Sequence, residues 1–375
     1  MHFRKKATFA AIAASFLTAV PVVFFLPAEA QSSTRLETVA ENLSHPWSVA
    51  FLPEGGYLVT ERDGLLKFVS EDGSQVVVPG TPEVFAQGQG GLLDIALSPG
   101  FDIDKTVYLT FSEGGPEGAG TSLFRAKLVP DGAGYRLDNG ETVFSGNNRD
   151  YGGRHFGSRL AFAPDGTLFM TVGERGDRDR AQDPSRHNGS VLRLTVDGKP
   201  APGNPFLGRE GFRPEIWSIG HRNPQAAAIS PATGKLWTVE HGARGGDEIN
   251  IPEAGKNYGW PVISYGRHYS GGKIGEGTSK PGMEQPVHYW DPSIAPSGMA
   301  FVTSPKYPDW QGDLLVGALA GRHLAKLDLE GDRVVSVEKL LQDLGERIRD
   351  VRQGGDGYVY LLTDSDEGRL LRLLP

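Results

Sequence analysis

The chain has 375 residues and no cysteine, with 46 acidic against 38 basic side chains for a net charge of −8. Without a thiol there are no disulfides and no thiolate metal sites, and an acidic balance disfavours a nucleic-acid partner, which calls for a basic face. Glycine, at 51 residues beside 26 prolines, runs at about twice average usage and points to many short strands joined by tight turns.

In chain order, the first thirty residues read as an address rather than as fold. Arg4, Lys5 and Lys6 make a positive start, residues 7–26 are almost uninterruptedly apolar, and Ala28-Glu29-Ala30 is a small-x-small cleavage site before Gln31. That is the layout of a secretory signal peptide, removed after Ala30, and it predicts a periplasmic or secreted protein. Losing three basic residues and one acid leaves 35 basic against 45 acidic, or −10. No later stretch approaches the ~20 apolar residues that span a bilayer, so the mature chain is expected to have no membrane span.

From residue 31 onward there is no linker-like boundary, so 31–375 is expected to be one domain. Helical periodicity is scarce; residues 337–344 (VEKLLQDL) offer about two turns at most. Strand-length runs bounded by Gly, Pro, Asp and Asn recur instead, and they repeat. SVAFLPEGGYLVTERDG begins at Ser48, DIALSPGFDIDKTVYLTFSE at Asp94 and RLAFAPDGTLFMTVGERG at Arg159. AAISPATGKLWTVEHGA follows at Ala227, GMAFVTSPKYPDWQGDLLVGAL at Gly298 and DVRQGGDGYVYLLTDSDEG at Asp350. With Ala50, Ala96, Ala161, Ala228, Ala300 and Val351 taken as equivalent, the spacings are 46, 65, 67, 72 and 51. Six units of three to four strands at blade-sized periods predict an all-β fold, a six-bladed β-propeller. Residues 35–39 (RLETV) are placed to start a strand that closes the ring with the last unit.

Standard catalytic signatures are missing: there is no Walker A loop, G-x-S-x-G, H-E-x-x-H or complete EF-hand. The Gly-rich 87–91 (QGQGG) lacks the G-x-G-x-x-G spacing of a dinucleotide fingerprint. Chemistry-bearing residues instead gather in loops beside strands. Residues 152–159 (GGRHFGSR) carry Arg154, His155 and Arg159 ahead of a strand, and an imidazole is the natural base near neutral pH, although a lone histidine is more often a packing residue. Arg222-Asn223 offers a guanidinium for a carboxylate or an oxyanion, or equally a tie between loops. Arg347 and Arg349 fall on one side of a strand, either as an anion clamp or as an edge salt-bridged to Glu346 and Asp350. The loop 242–248 combines glycine-exposed carbonyls with Asp247 and Glu248, an oxygen-rich set suited to Ca²⁺. Together these loops suggest a polyanionic ligand in a central well, and spacing alone goes no further.

Seven segments in order carry a resemblance: GQGGLLDIALSPGF, GGRHFGSRLAFAPDG, GHRNPQ, EHGARGGDEIN, NYGWP, PSIAPSGMAF and RIRDVR. From about residue 46 to the C-terminus the chain resembles the soluble quinoprotein sugar dehydrogenases, in particular the aldose sugar dehydrogenase branch. The resemblance implies a six-bladed propeller holding pyrroloquinoline quinone (PQQ) and Ca²⁺ and oxidising an aldose at C1 to the lactone, with an electron acceptor that stays unnamed. It implies His155 as the base that takes the C1 hydroxyl proton while hydride moves to the quinone, and Arg222 as the group that polarises the quinone carbonyl. Gln89, Arg222, Asn223, Arg347 and Arg349 would bind the cofactor. The main-chain oxygens of Gly242 and Ala243 would hold the cation, with Asp247 and Glu248 nearby through water. Tyr258 and Trp290 match positions near the sugar or cofactor. PQQ carries three carboxylates, so clustered arginines and a cation suit it.

Two departures stand out. Ala320 occupies a place where family members often have a lysine facing the cofactor, leaving Arg322 as a substitute source of charge. Arg154 precedes the base where the glucose-oxidising branch has an acid. Two other readings share the fold: an exported propeller that only binds carbohydrate or protein, and a Ca²⁺-dependent propeller lactonase.

Overall fold

Each copy of the repeat folds as a four-stranded antiparallel sheet, and there are six. The computed structural model describes residues 1–2 and 35–375, so the proposed signal segment and its cleavage site lie outside the described residues. The innermost strands are Pro46–Phe51, Leu92–Leu97, Gly157–Phe162, Pro224–Ile229, Pro296–Phe301 and Ile348–Gln353. Each touches the next, and the last touches the first, so the sheets are blades of a closed ring. This is the expected six-bladed β-propeller. We number the blades I to VI in that order. Among the described residues no helix is long and apolar enough to cross a membrane.

The core is distributed over the six seams between blades. In blade III, strand Leu168–Val172 is buried along its whole length. Because successive side chains of a strand point to opposite faces, Leu168, Met170 and Val172 pack with Tyr108 and Leu123 of blade II. Phe169 points the other way, to Ala227 and Leu236 of blade IV. Strands buried on both faces read as near-continuous apolar runs, which is why the second strands (YLVTE, LFMTV, LWTVE, LLVGA, VYLLT) dominate the repeat.

The ring closes as the sequence predicts. Strand Arg35–Leu43 is the fourth strand of blade VI, pairing antiparallel with Gly368–Leu374 from Arg35↔Leu374 to Leu43↔Gly368. Residues 337–344, whose periodicity offers about two helical turns at most, fold mainly as strand. Val337 to Leu340 end the edge strand Arg333–Leu340, and only Gln342–Leu344 makes a 3₁₀ turn. The ladder with Leu324–Glu330 overrides a weak local preference.

The sixth copy of the repeat is also shifted by one residue. Ala50, Ala161, Ala228 and Ala300 each pair with the second residue of the neighbouring strand: Leu58, Phe169, Trp237 and Leu315. In blade VI that partner, Tyr360, pairs with Arg352 and not with Val351. With this register the residue two before the equivalent position is Ser48, Asp94, Arg159, Ala226, Gly298 and Asp350. Every innermost strand breaks register there or just before it, with a β-bulge or irregularity. A bulge re-aims side chains, and here it turns two consecutive layers toward the axis.

The lower layer is an ionic floor. Asp94, Arg159 and Asp350 are 0%, 2% and 1% exposed. Arg159 bridges Asp94 at 3.2 Å and Asp350 at 2.9 Å, and its ring neighbour is Trp47, 4.2 Å from the guanidinium. Ser48 donates to Asp94 at 2.6 Å, Leu160 N–H to Asp94 at 2.7 Å and Val49 N–H to Asp350 at 3.2 Å. Arg352 closes the set onto Asp94 and Asp350. Gly298 is part of this fit: a Cβ there would stand 2.3 Å from Val351 N and 2.5 Å from Asp350 Cα.

Candidate active site

Directly above the floor the second layer lines a well of about 270 Å³. Trp47, Leu93, Gln225 and Arg349 come from the innermost strands, and Arg62, Gln89, His241 and Arg347 from the loops. Of the residues expected from sequence, Gln89, Arg347 and Arg349 therefore meet here. His155 and Arg222 border the well through its lining: Gln89 Oε1 accepts the His155 main-chain N–H at 2.8 Å, and Arg222 donates to the His241 carbonyl at 3.1 Å.

His155 is held in an unusual backbone state, at φ +58°, a left-handed conformation costly for most side chains and found at functional sites. Its carbonyl accepts from Arg175 N–H. Its Nδ1 lies 2.5 Å from Glu174 Oε2, and that carboxylate oxygen also accepts from Gly176 N–H at 2.9 Å. Glu174 thus fixes the ring and the proton on Nδ1, leaving Nε2 unprotonated and, among the described residues, without a hydrogen-bond partner. Burial pushes the His155 imidazole below its ordinary value; Glu174 opposes this, and the Arg222 and Arg154 charges add to it. The ring is therefore neutral at pH 7. His221 is the contrast. It too has a carboxylate, Glu240, on Nδ1 at 2.9 Å, but Ser218 occupies its Nε2 at 2.9 Å and the residue is fully buried. One imidazole is structural and the other is free to work.

Glu174 was not singled out from sequence, yet a signal existed. Glu61, Glu174, Glu240 and Asp364 each follow or end a second strand, in ERDG, GERG, EHGA and TDSD. In each of these four blades that acid secures the loop before the innermost strand, accepting from Ser44 N–H, His155, Arg222 N–H or Arg347. Replacing Glu174 by glutamine leaves the ring without its counter-charge. Turnover is expected to fall at least ~10-fold, a share of what a positioned base contributes. Because Glu174 raises the imidazole pKa, its loss lowers that pKa further, so the acid limb of kcat/KM moves to lower pH. A limb that stays put in a pH–rate profile contradicts this role.

The anion-binding side is built on Asp364. Burial works against its charge, but Arg349, His45 and Arg347 outweigh that and hold the carboxyl well below the usual range. Its Oδ2 accepts from Arg347 at 2.9 Å and from Arg349 at 3.2 Å, and Arg349 also reaches Gln225 at 3.1 Å. Two guanidinium groups share one carboxylate, which leaves positive charge facing the well. Arg62 adds a cation that sequence reading did not single out. Arg322 does not substitute for the missing lysine: it is exposed and donates to the Gly345 carbonyl at 3.1 Å, while Ala320 itself is exposed and its neighbour Leu319 lines the well. His241 contributes no charge. Burial, then Arg222 and Arg349, push it down to about 3, and its Nε2 donates to the Pro296 carbonyl at 2.7 Å.

Buried donors without partners mark where a ligand's acceptors belong, since an unmade buried hydrogen bond is costly. Arg222 Nε and Asn223 Nδ2 are such donors. Asn223 is oriented by its Oδ1, which accepts from Gly157 N–H at 3.1 Å and Gln225 at 3.2 Å. An acceptor-rich polyanion therefore fits this set of residues.

The 242–248 loop divides differently from expectation. Main-chain oxygens suit a hard cation, and among the described residues those of Gly242 and Ala243 are free of hydrogen-bond donors. The Asp247 carboxylate is not. It accepts from Gly242 N–H, Ser293 Oγ, Ile294 N–H and Ala295 N–H, so it laces the loop to the entrance of blade V. Glu248 lies across the ladder from Glu240; burial and that neighbour push it up to about 8, and Asn250 donates to both carboxylates. Neither Tyr258 nor Trp290 lines the well. Tyr258 is buried, stacks on His221 at 4.8 Å and donates to the Ile251 carbonyl. Trp290 packs against the seam between blades IV and V.

Comparison with known proteins agrees with the fold. Residues 43–372 match the family described as glucose/sorbosone dehydrogenase. The chain is 45% identical over 351 residues to the aldose sugar dehydrogenase YliI of Escherichia coli (strain K12), covering 92% of this chain and 94% of that one. The crystal structure of the soluble aldose sugar dehydrogenase from Escherichia coli in the apo form superposes with a TM-score of 0.89 at 44% identity, covering 92% of this chain and 100% of the other. The PQQ-bound form of aldose sugar dehydrogenase from Streptomyces coelicolor gives 0.74 at 31% identity, covering 91% and 99%.

Proposed function

The chain belongs to the glucose/sorbosone dehydrogenase family, and from that premise we propose that it oxidises aldose sugars at C1 to the lactone, using PQQ and Ca²⁺, outside the cytoplasm. The observation that carries this reading is His155: a neutral imidazole with a free Nε2, its Nδ1 locked on Glu174, beside an arginine-lined well. Arg347, Arg349, Gln89, Arg222 and Asn223 would hold the cofactor's carboxylates and carbonyls, and the oxygens of Gly242 and Ala243 the cation. Bound there, the quinone supplies the acceptor for the hydride leaving C1.

The residues supply the rest. His155 Nε2 accepts the C1 hydroxyl proton as the C1–H bond breaks and the carbonyl forms. Glu174 stabilises the imidazolium that results, as the carboxylate of a catalytic triad does. Arg222, fixed through its main-chain N–H on Glu240 at 2.5 Å, keeps its charge where negative charge develops, and a preorganised donor in a dry site is worth most there. The buried floor beneath Trp47 and Arg349 keeps water from reaching the reacting groups from below.

Adding PQQ and Ca²⁺ to purified protein is expected to give quinone absorbance with the protein and dye reduction with a panel of aldoses. Neither signal appearing would sink the proposal. Bound quinone without dye reduction would support a binding role in place of catalysis.

A further inference from the structure

A second cavity, about 620 Å³, lies against the loops that flank His155 and Glu174. It is lined by Asp150, Gly152, Gly153 and Arg154 on one side and by Arg175, Gly176, Asp177, Arg178 and Asp179 on the other. Its charges are unequal in their commitments. The Arg175 guanidinium is used up on the main-chain oxygens of Ala119, Gly152 and Arg154 and on the Phe156 ring at 3.5 Å. Asp177 pairs with Arg180 at 2.9 Å, Asp150 accepts from Gly152 N–H at 2.7 Å, and Arg178 faces Asp179 at 3.7 Å and His268 at 3.2 Å.

Arg154 is different. Among the described residues its guanidinium makes no ion pair or hydrogen bond, and it is exposed to the cavity. It is also placed. Gly176, at φ +84°, leaves room for it: a Cβ on that residue would stand 2.5 Å from Arg154 Nε and 3.2 Å from its Cζ. The cation therefore lies across the turn that follows Glu174, one residue from the base and on its solvent side.

We propose that Arg154 is a specificity residue and that this cavity takes the far end of an aldose bearing an anionic group, a carboxylate or a phosphate. An exposed, unpartnered guanidinium recognises either through charge-assisted, bidentate hydrogen bonds, while C1 at the other end of the sugar is presented to His155. The inference rests on the aldose-oxidising reading above and names the substrate class within it.

The test uses the reconstituted holoenzyme with two matched pairs, galacturonate against galactose and glucose 6-phosphate against glucose. In at least one pair kcat/KM for the anion should exceed that of its neutral parent by about tenfold, the factor one charge-assisted contact supplies. Gain in the first pair alone identifies a carboxylate ligand, and in the second alone a phosphate. The gain should appear in KM more than in kcat and shrink at high ionic strength, a readout that needs no variant. Arg154→Ala should bring the ratio toward one, Arg154→Lys should retain part of it, and Arg154→Glu should reverse it. Neutral sugars preferred in both pairs, or a preference that survives in Arg154→Glu, overturns the inference while leaving aldose oxidation standing. Failure to oxidise any sugar overturns both.

Discussion

Replacing His155 by alanine is expected to lower turnover of the reconstituted enzyme by about 10²–10⁴, the range that a positioned base contributes. Quinone binding should persist, because the groups assigned to the cofactor are Gln89, Arg222, Asn223, Arg347 and Arg349. Among the described residues the His155 side chain hydrogen-bonds to Glu174 alone. Since burial depresses the imidazole, the wild-type acid limb of kcat/KM belongs below the ordinary histidine value near 6.5, and the alanine variant should lack that limb. Alanine at φ +58° also carries backbone strain, so His155→Asn is the partner variant: asparagine tolerates the left-handed region and still has no base. Turnover within a few-fold of wild type in either variant, with quinone bound, would show that another group takes the proton.

The largest expected effect on stability lies at the floor of the ring. Arg159→Met should destabilise the protein by about 3–5 kcal/mol, because breaking a buried pair strands the partner charges. Here the stranded groups are Asp94 and Asp350, both essentially without solvent exposure, and Arg352 alone remains to face them. The denaturant midpoint reads this out. Combining Arg159→Met with Asp94→Asn should cost less than the two single changes added together, since charge removed from both sides of a contact is not stranded twice. Simple additivity in that cycle would mean the two side chains stabilise the ring independently.

Much of the architecture was legible because it depends on repetition. Burial on both faces forces long apolar second strands, and turn residues must separate them, so six copies are visible even when no two match closely. The faint helical period at residues 337–344 carries little weight where an edge ladder, which leaves a weak local pattern, decides the outcome. The slip at Val351 has the same origin: Arg352 fills a position that is alanine in the five other blades, and only the pairing with Tyr360 reveals it. At the site, residues of striking chemical type such as His155, Arg222 and Arg349 could be named from sequence. Glu174 escaped because its importance lies in which loop its carboxylate reaches. The partners of Asp247 were hidden for a related reason, as an acid in a glycine-rich loop satisfies the loop's own N–H groups as readily as it meets a cation.

The bulge shared by all six innermost strands separates two kinds of inheritance. Without it, side chains would alternate inward and outward, and each strand would offer the axis one residue per two. With it, neighbours such as Trp47 and Ser48, or Arg349 and Asp350, face the axis together, one lining the well and the next sealing it. Substitutions in the upper layer that keep Trp47 on Arg159 therefore alter what the vessel holds without loosening its base. A family built this way can change its ligand by single steps while the ring beneath stays shut.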